Sequence, residues 1–177
     1  RSTKKSTTDC QSILSHTLAN TGHTMQYTAS NETPLPAANM KAIILAAGRG
    51  SRMRDLTDER PKCLVELHGK PLLYWQLEAL RKAGINNIAV VTGYRRELLE
   101  IPGVTEFHNP RWAETNMVSS LACADSWLSS DNCVVSYSDI FYSAETVKAL
   151  IAAPAESSLT ISYDPHWLNH WQARFAD

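Results

Sequence analysis

The chain has 177 residues, 44% of them hydrophobic and 20% charged, enough apolar material for one buried core. Its 17 basic and 18 acidic side chains nearly cancel, to a formal charge of -1, which leaves no electrostatic footprint for nucleic acid or for an anionic membrane surface. No apolar run is long enough to span a membrane, no signal-peptide pattern opens the chain, and the four cysteines show neither C-x-x-C pairing nor zinc spacing, so reduced thiols in a cytoplasmic protein are expected.

In chain order, residues 1–39 are rich in Ser, Thr, Asn and Gln and contain Pro34 and Pro36. Their apolar content is too low for a core, so a flexible extension, partly helical over 12–18, is expected to precede a folded domain over 40–177. His16 and His23 have no acidic or cysteine partner at ligand spacing. Residues 42–47 then read as a buried parallel strand, because an apolar run is bounded by polar sequence and by glycine. The strand leads into a loop with Gly48 and Gly50, where the backbone can bend closely around a ligand. Arg49, Arg52 and Arg54 bring positive charge to the loop, and Lys62 follows Pro61. Backbone N–H groups at such a turn form an anion nest, and the cations neutralise charge that builds during phosphoryl or nucleotidyl transfer. No G-K-[ST] closes the loop and the third glycine of the dinucleotide fingerprint is missing. The glycine pair by itself is equally compatible with an ordinary solvated loop.

The combination is more specific. L-A-A-G-R-G-S-R-M at 45–53 followed by P-K-C-L at 61–64 closely resembles the signature of the nucleotidyltransferase family that activates sugar phosphates and small phosphorylated alcohols. The resemblance implies an α/β, Rossmann-like three-layer nucleotidyltransferase fold with a mostly parallel central sheet. By the same resemblance Leu45, Ala46, Ala47 and Gly48 would cradle base and sugar. Gly50, Ser51 and Arg52 would hold the triphosphate, and Lys62 would steady the incoming phosphate and the transition state.

Beyond the loop, 65–67 reads as a brief extended piece and 68–70 as a turn. Pro71 suits a first helical turn, and Leu73, Leu77 and Leu80, broadened by Trp75 and Ala79, predict a helix over 72–83 ended by Gly84. A strand over 88–91 completes a strand, helix, strand crossover unit. It ends in Thr92, Gly93 and Tyr94, which should lie near the glycine-rich loop because ligands gather at the carboxyl ends of parallel strands. These three residues are otherwise a cap and a surface tyrosine; in the resembled family a similar G-Y lies beside the base. A short helix over 95–101 closed by Pro102 and Gly103, then a strand over 104–107, are expected next.

Residues 109–117 form a polar loop with one large aromatic, Trp112, leading into a helix over 117–127 that turns Leu121, Ala122 and Ala124 inward. Asn116 is placed to cap it. The stretch also resembles the asparagine, aromatic, alanine, asparagine pattern of phosphocholine and aminoethylphosphonate cytidylyltransferases, whose loop approaches both nucleotide and acceptor. It departs from that pattern at Thr115 and Met117, and at Trp112 where tyrosine is commoner. A strand over 133–136 then delivers Asp139, a carboxylate at a strand end beside a phosphate loop, which suits Mg²⁺. The resemblance gives Asp139 the same role, as the ligand of the magnesium that bridges the triphosphate. A helix over 143–151, a loop over 152–158 and a strand over 159–163 follow. Asp164, Trp167 and Trp171 then stand close together, either as a cradle for a cationic headgroup or as core packing. His166 and His170 lack an H-E-x-x-H arrangement.

The resemblance therefore implies a Mg²⁺-dependent cytidylyltransferase that moves CMP from CTP to a small phosphorylated or phosphonylated acceptor, such as phosphocholine, releasing pyrophosphate. Arg52 would engage the leaving phosphates, Lys62 the α-phosphate and the acceptor, and Asp55 or Glu59 would orient an arginine. A sugar-1-phosphate nucleotidyltransferase shares the first signature, but D-L-T stands at 55–57 where P-L-T is common. A non-catalytic nucleotide-binding module is disfavoured by the presence of Arg52, Lys62 and Asp139. In the family a second metal aspartate lies on a later strand, and neither Asp164 nor Asp177 has that context, so the domain is expected to be incomplete at its C-terminus. The acceptor, and whether the protein is a homo-oligomer, stay open.

Overall fold

The structure, a computed structural model, describes residues 40–51, 56–153 and 159–174. The expected N-terminal extension, with Arg52, Arg54 and Asp55, lies outside the described residues. β1 (Lys41–Leu45) buries Ala42, Ile43 and Ile44 in succession, the pattern of a strand covered on both faces. β2 (Glu66–Leu67) and β3 (Lys70–Pro71) make a small antiparallel pair around His68 and Gly69. α1 (Leu72–Lys82) buries Leu73, Leu77 and Leu80, as its spacing predicts. It ends at Gly84, whose φ of 96° is left-handed. Gly84 N–H donates to the Arg81 carbonyl and Ile85 N–H to that of Leu80, each at 3.0 Å, while Ile85 packs into the core.

β4 (Asn87–Thr92), β5 (Thr105–His108) and β6 (Cys133–Tyr137) join β1 in a parallel sheet of order β5-β4-β1-β6. Leu45 stands opposite Val91 on one side and Tyr137 on the other. The chain steps outward from β1 through β4 to β5 and then crosses to the opposite side for β6, so the strand order reverses beside β1. In open α/β sheets a ligand crevice opens at the carboxyl ends of the strands at that reversal. Ile44, Leu73, Leu77, Leu80, Val90 and Val134 pack on one face of the sheet together with Val147 of α4 (Ala144–Ala152). Ile43, Val91 and Ala124 pack on the other with Phe107, Trp112 and Trp127, giving three layers.

Three expected elements differ, and one open alternative is narrowed. The helix over 117–127 is two pieces, α2 (Met117–Ala122) and α3 (Asp125–Leu128). Ala124, at φ -97° and ψ 19°, leaves helical geometry, and its N–H closes a tight turn on the Leu121 carbonyl at 2.9 Å. Ala122 is exposed and Ser120 takes the buried position. The helix over 95–101 shrinks to one 3-10 turn, Arg96–Leu98, because Arg95 enters it left-handed and Leu99 leaves it at φ -111°. No strand forms over 159–163, where Leu159, Ile161 and Tyr163 are 70–76% exposed. Alternation yields a strand only where a neighbour completes the ladder, and among the described residues β6 pairs only with β1. In α5 (Trp167–Arg174), Trp167 and Trp171 are exposed rather than packed into the core. Among the described residues no helix is long and apolar enough to cross a membrane.

Candidate active site

The glycine-rich loop leaves β1 at the strand-order reversal. Its first residues are tied to β4: Ala46 N–H donates to the Val91 carbonyl and Tyr94 N–H to that of Ala47, both at 2.9 Å. Thr92, Gly93 and Tyr94 therefore lie against the loop, as their place at the end of β4 predicts. Gly93 is required by packing. A Cβ there would stand 2.6 Å from both the Ala47 carbonyl oxygen and the Trp112 Cβ. Gly50 is required by conformation, at φ 75°, and the Lys62 stem lies against it, so a Cβ would meet the Lys62 Cδ at 3.0 Å. A Cβ on Gly48 would enter open space, so the chain itself does not explain that glycine. Thr57, fully buried, closes the far end of the loop by donating from Oγ1 to the Gly50 carbonyl at 3.2 Å. Ser51 is exposed at its tip.

Lys62 and Asp139 meet across this crevice. Lys62 rides on a short 3-10 turn, Lys62–Leu64, behind Pro61, and Asp139 follows β6 directly. The Lys62 Nζ lies 2.7 Å from the Asp139 Oδ2, with the side chains 22% and 40% exposed. Two residues 77 positions apart in sequence thus place a cation and a carboxylate together at the carboxyl ends of β1 and β6. Beside them the Cys63 thiol is fully buried, and burial pushes its pKa up to about 12, which keeps it a neutral packing group.

The remaining candidates fall into two groups. Tyr94 donates from its hydroxyl to the Asp58 carbonyl at 2.5 Å and sets its ring edge-on to Trp112, with centroids 5.3 Å apart. The Arg49 guanidinium lies 5.7 Å from the Tyr94 ring centre and pairs with the Asp58 carboxylate at 2.6 Å. Asp58 thus orients Arg49, while Asp55, Arg52 and Arg54 lie outside the described residues. Thr92 and Asn116 have their oxygens engaged within the chain. The Thr92 hydroxyl is buried and donates to the Glu106 Oε1 at 2.5 Å. The Asn116 Oδ1 accepts from Val118 and Ser119 N–H at 3.0 and 3.1 Å, which makes it the cap of α2.

Two buried polar residues, whose roles the sequence does not announce, serve as scaffold. Asn109 is buried and donates from Nδ2 to the Thr115 and Ser120 hydroxyls while its Oδ1 accepts from Arg111 N–H, so it shapes the loop that carries Trp112. Gln76 is buried in α1 and donates to the carbonyls of Tyr137 and Ile140, on either side of Asp139. Its signal was present: a polar residue three positions after Leu73, inside the apolar stripe. Among the described residues, Leu56, Asp58, Glu59, Arg60, Val65 and Glu66 line a surface depression beside the loop.

Comparison with known proteins agrees with this geometry. Over 148 residues the chain is 40% identical to the CTP:phosphoglutamine cytidylyltransferase of Campylobacter jejuni, covering 78% of this chain and 58% of that one. It is 34% identical over 116 residues to the 2-aminoethylphosphonate cytidylyltransferase of Lancefieldella rimae, covering 63% and 47%. Among solved structures, the CTP:phosphocholine cytidylyltransferase of Streptococcus pneumoniae superimposes with a TM-score of 0.54 at 36% identity, covering 60% of this chain and 50% of that one. The chain thus spans about half the length of these relatives. Residues 42–175 match the MobA-like NTP transferase domain, from β1 through the loop, Lys62, Asp139 and α5, and the chain belongs to that family.

Proposed function

We propose that the protein transfers a cytidylyl group from CTP to a small acceptor bearing a phosphate or phosphonate, releasing pyrophosphate. The observation that carries this is the Lys62–Asp139 pair, 2.7 Å apart at the strand-order reversal and roofed by the glycine-rich loop. The relatives supply the donor and the acceptor class. Proteins named for phosphoglutamine, choline phosphate and 2-aminoethylphosphonate share a cytidylyl donor and differ in the acceptor.

The nucleophile of such a reaction is already an anion, so catalysis rests on positioning and charge compensation rather than on a strong base. The Lys62 ammonium, with its stem against Gly50, reaches the ground where α-phosphate and acceptor oxygens would meet. Loop N–H groups from Gly48 to Ser51 would cradle phosphate oxygens, and Arg52 would meet the leaving pyrophosphate. Gly48 supports this reading, because its missing Cβ leaves open room on a loop that would otherwise tolerate a side chain. Tyr94, braced by Trp112, would flank the base, and Asn116 would face the acceptor loop.

Among the described residues no cluster of three or more His, Cys, Asp or Glu gathers to cage a metal. A single, partly exposed carboxylate at a strand end nevertheless fits Mg²⁺, which takes one or two carboxylates and fills its remaining positions with phosphate oxygens and water. Asp139 would hold it, and when bound the ion supplies charge neutralisation on the triphosphate. Lys62, whose ammonium lies 2.7 Å from that carboxylate, would bind phosphate oxygens beside it.

The test is pyrophosphate release with Mg²⁺, crossing the four nucleoside triphosphates with phosphocholine, 2-aminoethylphosphonate, phosphoglutamine and glucose 1-phosphate. Release restricted to CTP and one of the first three acceptors is expected. Release with a sugar phosphate and another nucleotide, or nucleotide binding without release from any pair, would overturn the reading.

A further inference from the structure

We propose that Gln76 is a positioning residue that fixes the Asp139 carboxylate from beneath the sheet's end. This rests on the reading of Asp139 as the carboxylate that meets the metal and triphosphate. Gln76 sits in the apolar stripe of α1, fully buried among leucines. Packing alone would prefer an aliphatic residue there, and among the described residues the glutamine Oε1 has no hydrogen-bond partner. A buried amide with an unsatisfied oxygen is costly, so its place must come from what the other end of the amide does.

That end makes two bonds. Nε2 donates to the Tyr137 carbonyl at 2.8 Å and to the Ile140 carbonyl at 2.6 Å. Both protons of one NH₂ group are used, and the two carbonyls bracket Ser138 and Asp139. The bracket has a third anchor, since Ser138 N–H donates to the Leu45 carbonyl of β1 at 3.2 Å. A fourth comes from the residue before Gln76: Trp75 meets Phe141 edge-on, with centroids 5.9 Å apart. The backbone on each side of Asp139 is therefore tied to α1 or to β1, and the carboxylate has little freedom beyond its own rotamer. Among the described residues the Ser138 hydroxyl is likewise buried without a partner, so this turn sits on two such polar groups. Stability does not account for such an arrangement, whereas holding a carboxylate in one place does.

The probes are Gln76→Met, which keeps size and removes both donors, and Gln76→Asn, which keeps the amide and shortens its reach. Three readouts apply to the full chain: amide hydrogen exchange across 138–141 without ligand, Mn²⁺ affinity in the presence of CTP by electron paramagnetic resonance, and steady-state kinetics. Exchange in that segment should quicken about tenfold while the exchange of α1 itself is unchanged. Mn²⁺ affinity should fall about tenfold, and kcat about 10- to 100-fold with KM for CTP within about threefold, as expected for a misplaced but intact group. Wild-type exchange across 138–141 in the variant would overturn the proposal. So would faster exchange with unchanged Mn²⁺ affinity and kcat, which would mark a merely structural tie. Should neither variant fold, the wild type still decides, since Gln76 side-chain amide protons that exchange as freely as those of an exposed glutamine would refute the clamp. Wild-type protein that neither binds Mn²⁺ with CTP nor releases pyrophosphate would sink cytidylyl transfer, while the exchange arm separately judges the clamp.

Discussion

Gly93 and Gly48 should respond in opposite ways to the same substitution. In Gly93→Ala the new methyl would stand 2.6 Å from the Ala47 carbonyl oxygen and 2.6 Å from the Trp112 Cβ. Ordinary van der Waals contact requires roughly 3.5 Å, so each neighbour must retreat by close to 1 Å. Neither neighbour is the loose end of a flexible chain. The Ala47 carbonyl accepts from Tyr94 N–H at 2.9 Å, and Trp112 is wedged against Tyr94 and the second core face. Overpacking of this kind costs about 1–3 kcal/mol, and weakening the Tyr94 bond adds about 1 kcal/mol. At about 2–4 °C per kcal/mol for a chain of this size, Tm should fall by roughly 5–15 °C. Because Ala47 begins the glycine-rich loop, turnover should fall about 100-fold as well. In Gly48→Ala the methyl meets nothing within 4 Å and no positive φ is involved. Tm should therefore stay within about 2 °C, since surface changes away from special features are worth about 0.5 kcal/mol or less, while CTP affinity falls. Calorimetric melting and CTP titration of both variants give the comparison. Unchanged Tm and turnover in Gly93→Ala would refute the packing argument. Unchanged CTP affinity in Gly48→Ala would refute the view that the open side of the loop belongs to the nucleotide.

Lys62→Ala should lower pyrophosphate release by about 100- to 1,000-fold, while the partly exposed pair it breaks contributes no more than about 1 kcal/mol to stability; turnover within threefold of wild type would remove Lys62 from the chemistry. Cys63, fully buried, should resist alkylation at pH 8 in native protein while the half-buried Cys123 and Cys133 react, and peptide mapping by mass spectrometry would show the reverse if the burial is wrong. Its thiol is raised from 9.0 to about 12 by burial, so the stability it carries is complete below pH 9 and drains away as pH climbs toward 12, at most by about 1.4 kcal/mol per unit between those values. Glu78, hydrogen-bonded to Lys70 and Lys82, is lowered from 4.5 to about 2, so what it contributes is present above pH 4.5 and is lost as pH falls through about 2. A carboxyl titration by NMR with a midpoint near 4.5 for Glu78 would contradict that pairing.

Much of this molecule was legible because its signals are local. Apolar runs bounded by glycine became β1 and β4, the Leu73, Leu77, Leu80 spacing became α1, and Ser143 and Asn116 cap the helices they precede. What escaped depends mostly on partners distant in the chain. The alternation over 159–163 is a strand pattern, but no neighbouring strand receives it among the described residues. The helix over 117–127 breaks at Ala124, which stays in the core with Ile43 and Val91 as its spacing predicts but leaves helical φ and ψ, a local backbone choice that spacing does not encode. The bond from the Thr92 hydroxyl to Glu106 on the neighbouring strand likewise pairs residues that are distant in sequence. Arg52, the residue expected to meet the leaving phosphates, lies outside the described residues.

The site candidates that were legible and those that were missed share a physical origin. A parallel strand buried on both faces must be apolar until it emerges, so polar residues at its carboxyl end stand out against what precedes them. Gly48, Gly93 and Asp139 are conspicuous for that reason. Their supports are not, because a support is a buried polar group whose partners are backbone carbonyls, and carbonyls carry no residue identity. Gln76 donates to Tyr137 and Ile140 through their main chains, and any sequence at 137 and 140 would present the same acceptors. Asn109 similarly receives its backbone bond from Arg111 N–H. The readable trace of such a residue is the cost it imposes: a glutamine inside a leucine stripe gives up burial energy that leucine or methionine would supply. A polar residue at a core position of a helix that abuts strand ends therefore points to the segment of backbone it holds, and here that segment carries the carboxylate opposite Lys62.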